Sequence, residues 1–181
     1  MHDHIEEILY TREEIDKRVK ELGKQITKDY KGKNLTCICL LKGGVFFMTD
    51  LLKEIDLPLS IDFMDVSSYG ASTVSSGEVR ILKDLDHSIK DKDILLVEDI
   101  IDTGLTLSHV IELLKTREIN SIEVVSFLSK EMRREVDIDI KYCGFNIDDY
   151  FVVGYGLDFD EEYRNLPYIG YLKEEMYKKE D

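Results

Sequence analysis

Three carboxylates crowd into the segment LLVEDIIDTGLTL, residues 95–107: Glu98 and Asp99 side by side, then Asp102, followed at once by Thr103, Gly104, Leu105 and Thr106. Adjacent carboxylates suit a hard divalent cation, and a short glycine- and threonine-containing turn suits a phosphate. The apolar run Ile94–Val97 reads as a buried strand and Leu105–Lys115 carries helical spacing, so the acids fall at a strand's carboxyl end, where open α/β sheets bind ligands. Backbone N–H groups around Thr103 to Thr106, with the two hydroxyls, could hold a phosphate at the helix N-terminus, where unpaired donors and the helix dipole favour an anion. The carboxylates beside it would repel that anion unless a cation stood between them. Magnesium keeps several waters and shares few protein carboxylates with phosphate ligands, so it is the expected cofactor, with Glu98 and Asp99 as metal ligands. The competing reading is structural: acids ending a strand, Asp102 capping a helix and Gly104 relieving a turn.

The elements that must position these residues follow from periodicity. Ile15, Val19, Leu22 and Ile26 predict an amphipathic helix over residues 12–29, with Thr11 and Glu14 as its capping box. Leu35 to Leu41 is nearly continuous apolar sequence, as in a strand covered on both faces, and Lys42-Gly43-Gly44 breaks it before a helix over Val45 to Ile55. Glycine there lets backbone amides approach a diphosphate with Lys42 as a point charge, although a plain strand-to-helix turn would look the same. Strands are predicted at Ser60–Val66, Val79–Leu82, 94–99 and Ile122–Leu128, a helix at 105–116, and short strands at Phe151–Val153 and near Ile169–Leu172. The polar stretch SSYGASTVSSG, residues 67–77, is expected to be a mobile loop. This β-then-α order argues for an α/β fold with a parallel sheet and right-handed crossovers.

At 181 residues with 43% hydrophobic composition, the chain is expected to form one domain over 1–181. No apolar run approaches the roughly 20 residues of a membrane helix, and the start lacks the basic-then-apolar order of a secretion signal, so a cytoplasmic location is expected. Cys37, Cys39 and Cys143 read as reduced residues, the first two on one face of a core strand. A net charge of −14 opposes nonspecific binding to nucleic acid or an anionic membrane. An anionic small substrate must then be met locally, by magnesium, Lys42, Lys130, Arg164 and helix N-termini. Lys130 heads the charged string KEMRRE and on composition alone is a surface lysine. His2 and His4 read as part of a frayed end rather than a metal grip, and His87 and His109 stand alone without a role.

From Val97 to Thr106 the segment resembles, without a gap, the phosphoribosyl-diphosphate signature of the purine phosphoribosyltransferases. The ordered set of loops from Lys42 to near Leu172 is similar to the bacterial hypoxanthine-guanine type. That resemblance implies the type I fold: a parallel twisted sheet with helices on both faces, plus a small hood built from the termini. It implies that Glu98, Asp99, Asp102, Thr103, Gly104, Leu105 and Thr106 bind phosphoribosyl diphosphate, together with Lys42 and Gly43 in a loop with a cis peptide after Leu41, Ser68 and Tyr69 in a lid, and Arg164. The purine site would comprise Lys130 on the 6-oxo group, Phe151 stacked on the ring, the Val152 main chain at the base edge, and Asp158, which would also hold a second magnesium. Asp102 would be the catalytic base. The implied reaction is magnesium-dependent transfer of the 5-phosphoribosyl group to hypoxanthine and guanine in purine salvage, giving IMP and GMP plus diphosphate. The implied partners are small-molecule substrates and further copies of the chain, in a dimer or tetramer. Glu131-Met132 and Asp148-Asp149-Tyr150 depart from the usual pattern beside the base pocket, which leaves preference among oxopurines open. An RNA-binding regulator on the same scaffold would need a basic patch, against which the −14 charge speaks. A phosphoacceptor receiver domain would leave Lys42-Gly43-Gly44 and the Phe151–Asp158 segment without purpose.

Overall fold

Thr11 and Glu14 exchange the hydrogen bonds of a capping box, with Glu14 N–H donating to Thr11 Oγ1 at 3.3 Å and Thr11 N–H to Glu14 Oε2 at 2.8 Å, and helix α1 (Arg12–Asp29) starts there. Its Ile15, Val19, Leu22 and Ile26 face the core. The computed structural model describes residues 1–68 and 79–176, so Tyr69 and most of the expected lid lie outside the described residues.

Six strands form the main sheet: β2 (Leu35–Leu40), β3 (Ser60–Ser68), β4 (Val79–Lys83), β5 (Asp93–Ile101), β6 (Ser121–Ser129) and β7 (Tyr142–Asn146), in the order β4-β3-β2-β5-β6-β7. All pairings are parallel except that of β4, which returns antiparallel to β3 at the edge. β2 is buried along its whole length, as a strand with both faces covered must be. Alternation sorts its side chains: Cys37 and Cys39 pack with Leu95, Val97 and Phe127 under α1 and α2 (Gly44–Lys53), whereas Ile38, Leu96 and Val124 pack under α3 (Leu105–Lys115). Both buried cysteines are free thiols on the same face, and Cys143 is free and half-buried. The chain runs from β2 outward in one direction to β3 and from β5 outward in the other to β6, so the crevice at the carboxyl ends of β2 and β5 is a topological switch point.

A second, antiparallel sheet of order β1-β9-β8 unites the two ends of the chain: β1 (Ile5–Tyr10), β8 (Val152–Val153) and β9 (Ile169–Leu172). This is the hood. Periodicity missed β1 because adjacent glutamates interrupt it and most of its side chains face solvent, and missed β7 because five residues containing a glycine carry little pattern. The terminus also corrects the frayed reading. His2–His4 form a 3-10 turn, with His2 Nδ1 2.6 Å from the Tyr168 hydroxyl and His4 Nδ1 2.7 Å from that of Tyr163, because pairing of β1 with β9 anchors the chain immediately beyond. Among the described residues no helix is long and apolar enough to cross a membrane.

Candidate active site

β5 continues past its apolar stretch to deliver Glu98 and Asp99 into the crevice. Asp99 Oδ1 accepts a hydrogen bond from the Ile100 N–H at 2.8 Å, and its other oxygen lies where a Cβ on residue 43 would stand, so Gly43 is what lets the carboxylate settle there. Burial pushes Glu98 well above the ordinary glutamate range, with the Asp99 charge adding to it. Burial likewise raises Asp99 to about 6, against the opposing pull of the Ile100 N–H and the Arg164 guanidinium. Glu98 Oε2 is buried without a hydrogen-bond partner among the described residues. An orphaned oxygen beside two destabilised carboxylates fits a divalent cation. No three potential ligand side chains converge on one point among the described residues, so a cation here would complete its shell with water and ligand oxygens, as magnesium does.

Beyond β5, residues Asp102, Thr103 and Gly104 turn the chain into α3. Gly104 has φ of 84°, and a Cβ on it would press to 2.8 Å from Ile138 Cδ1. The first turn of α3 holds no acidic residue, and a cavity of about 220 Å³ at this end of the helix is lined by Glu98, Asp102, Thr103, Gly104, Thr106 and Leu107 among others. Leu105 contributes its N–H to Thr103 Oγ1 at 3.4 Å and does not line the cavity. Two arginines that sequence reasoning left inside a charged string fix this turn. Arg134 donates to the carbonyls of Asp102 and Ile101, at 3.1 and 3.4 Å, and to Ser129 Oγ at 2.9 Å. Arg133 Nε forms an ion pair with Asp102 Oδ1 at 2.8 Å.

Opposite stands the Lys42 loop. The Leu41–Lys42 peptide is cis, as the resemblance implied. The turn at Gly156, with φ of 103°, sits so close to the Gly43 carbonyl that any Cβ would collide with it, which locks the β8 segment onto this loop. From there Arg164 donates to the Gly156 carbonyl at 2.8 Å and pairs with Asp158 at 2.9 Å and Glu161 at 3.3 Å, while its buried Nε finds no partner among the described residues. Lys42 Nζ reaches the other Glu161 oxygen at 2.7 Å. Nothing in the sequence singled out Glu161, one acid among several between Asp158 and Glu162.

Lys130, at the end of β6, is buried rather than solvated. Its N–H bonds the Ile101 carbonyl at 2.9 Å and sets it beside the Asp102 turn, while Nζ pairs with Asp149 at 3.3 Å. Arg133 also reaches Asp149, at 3.2 Å, so Asp102, Arg133, Asp149 and Lys130 form one chain of ion pairs. Phe151 is exposed and meets Phe159 edge to face at 5.5 Å, and Val152 is buried in β8, paired with Tyr171. Ser68 ends β3 at the same rim of the sheet. The candidate residues thus gather at one rim: the Glu98 and Asp99 carboxylates and the Asp102–Thr106 cavity at the switch point, Lys42 and Arg164 joined through Glu161, and Lys130 beside Asp102.

Residues 6–160 match the model of the phosphoribosyl transferase domain. A hypoxanthine-guanine phosphoribosyltransferase of Staphylococcus aureus is 58% identical over 177 residues, covering 98% of this chain and 99% of the relative. The crystal structure of a hypoxanthine phosphoribosyltransferase from Staphylococcus aureus superposes with a TM-score of 0.97 at 57% identity, over 99% of this chain and 97% of that one. A variant hypoxanthine phosphoribosyltransferase from Trypanosoma cruzi, solved as a ternary substrates complex, superposes with a TM-score of 0.92 at 41% identity, over 97% of this chain and 100% of that one. With the signature turn at the switch point and the hood over it, these likenesses place the chain in the hypoxanthine-guanine phosphoribosyltransferase family.

Proposed function

We propose that the chain transfers the 5-phosphoribosyl group from phosphoribosyl diphosphate to hypoxanthine and guanine, giving IMP and GMP plus diphosphate. The observation that carries this reading is the cavity at the α3 N-terminus, with Glu98 and Asp102 in its wall and the Lys42 loop across the crevice. The 5-phosphate takes the N–H groups and hydroxyls of Thr103 to Thr106, including the backbone at Gly104 and at Leu105, whose N–H exchanges its long 3.4 Å bond to Thr103 Oγ1 for the phosphate. Glu98 and Asp99 would hold magnesium and orient the ribose hydroxyls, and Asp158 would contribute to a second ion; magnesium bound there would supply charge neutralisation for diphosphate. Lys42, Gly43 and Arg164 bind that diphosphate, with Ser68 and Tyr69 as further ligands, Tyr69 lying outside the described residues.

On the base side Phe151 stacks on the purine, Val152 reads its edge through the main chain, and Lys130 donates to the 6-oxo oxygen. A 6-amino group would set donor against donor, which selects oxopurines over adenine. The purine N9 forms its bond to the anomeric carbon as the bond to diphosphate oxygen breaks, with inversion, through an oxocarbenium-like transition state. The N7 proton passes to Asp102. The chain acts as one catalytic unit over 1–181, in the cytoplasm and within a homo-oligomer. A spectrophotometric panel of hypoxanthine, guanine, xanthine and adenine with phosphoribosyl diphosphate, with and without magnesium, tests the proposal. Turnover of hypoxanthine and guanine only when magnesium is present is expected, and turnover of adenine alone, or none, would overturn it.

A further inference from the structure

Two cations on the Lys42 side of the crevice, Lys42 and Arg164, are already bridged by a carboxylate of the chain itself. Glu161 Oε2 lies 2.7 Å from Lys42 Nζ and Oε1 lies 3.3 Å from Arg164 Nη2, so each oxygen serves one cation, as two oxygens of a diphosphate would. Lys42 holds Glu161 below the usual carboxylate range, so the bridge is anionic at neutral pH. It is also replaceable. Both the Lys42 and the Glu161 side chains are 64% exposed, and water-screened ion pairs of that kind cost little to part. The backbone presents the residue outward: Asp160 and Glu161 adopt left-handed φ values of 52° and 65°, held by a two-way bridge between Phe159 and Glu162 and by donation from the Glu161 N–H to Asp158 Oδ2 at 3.0 Å.

We infer that Glu161 is a positioning residue of the leaving-group site, acting through Lys42 and Arg164: its carboxylate occupies the place of diphosphate, yields to it on binding, and returns to the two cations as the product departs. The inference rests on the proposed placing of diphosphate at Lys42 and Arg164. A several-fold charged diphosphate outcompetes a single carboxylate, yet meets a rival for the same cations, which weakens its hold and favours release. Removal of the rival therefore tightens product binding.

Titration calorimetry with inorganic diphosphate on the full chain, at fixed magnesium and without it, tests this. Glu161→Gln keeps the shape and removes the charge, and is expected to bind diphosphate about three- to tenfold more tightly, the scale of one or two exposed ion pairs. Glu161→Asp, too short to span both cations, should fall between the variant and the parent. The KM for hypoxanthine should stay put while inhibition by diphosphate deepens, a split that general loss of structure would not produce. Unchanged or weakened diphosphate binding in Glu161→Gln overturns the inference. Lys42→Met separates that failure from failure of the site: if it leaves diphosphate affinity untouched, the placing of diphosphate falls, and if it lowers affinity while Glu161→Gln changes nothing, only the role of Glu161 falls.

Discussion

Glu98 and Asp99 are strained in their charge rather than in their geometry, and that strain has a sign. A carboxylate whose folded-state pKa is raised binds its proton more firmly in the fold than in the unfolded chain, where aspartate titrates near about 3.9. Its contribution therefore favours folding at low pH and is lost as pH climbs from the unfolded value through about 6 for Asp99, with a loss of the same sign for Glu98, whose pKa burial also raises. Relative to Asp99→Asn, the metal-free parent should lose thermal stability across that window, as read by melting temperature against pH. Magnesium should raise the midpoint near pH 7.5 and do little near pH 5, and equal shifts at both would count against the cation site. Asp102 makes a different kind of demand. Asp102→Asn should cut turnover by about 10²–10⁴-fold while calorimetry finds phosphoribosyl diphosphate affinity near that of the parent, because the task proposed for the carboxylate is to take the N7 proton. Undiminished turnover would remove it from that role.

Among the elements, those with long buried faces could be read from the sequence alone. Four apolar residues at helical spacing gave α1, and a run from Leu35 to Leu41 broken only by Thr36 gave β2, because burial on one stripe or two faces leaves a pattern that no surface requirement disturbs. The turn from Asp102 to Gly104 was equally legible, since only a few residue types can make it. What stayed hidden depends on pairing between distant segments. β1 is a mostly exposed edge recognisable only beside β9, and the roles of Arg133, Arg134 and Glu161 exist only once β6 and the loop after β8 reach the crevice. Capping is the element-scale feature with the cleanest prediction. Thr11→Ala removes the acceptor for the Glu14 N–H and should lower unfolding free energy by about 1 kcal/mol in denaturant titration, with kinetics unaltered, because α1 lies away from the crevice.

At the scale of the whole molecule, a doubly wound sheet carries the residues proposed to hold the sugar phosphate, while the proposed base site lies against a small sheet drawn from both chain ends. Deleting residues 1–10 takes away the β9 partner and the contacts of His2 and His4 with Tyr168 and Tyr163. Since small misplacement of a substrate-positioning group is costly, kcat/KM for hypoxanthine should drop on the order of 10²-fold, whereas the thermal shift produced by magnesium at the β5 acids should persist. Loss of that shift as well would show that the two sheets stand or fall together. The same arrangement bears on the order of folding. Ile5–Tyr10 pair with Ile169–Leu172 from the far side of the sequence, so the small sheet must close a long loop, whereas the β-α units of the main sheet need only short ones, and its formation is expected to come last on refolding.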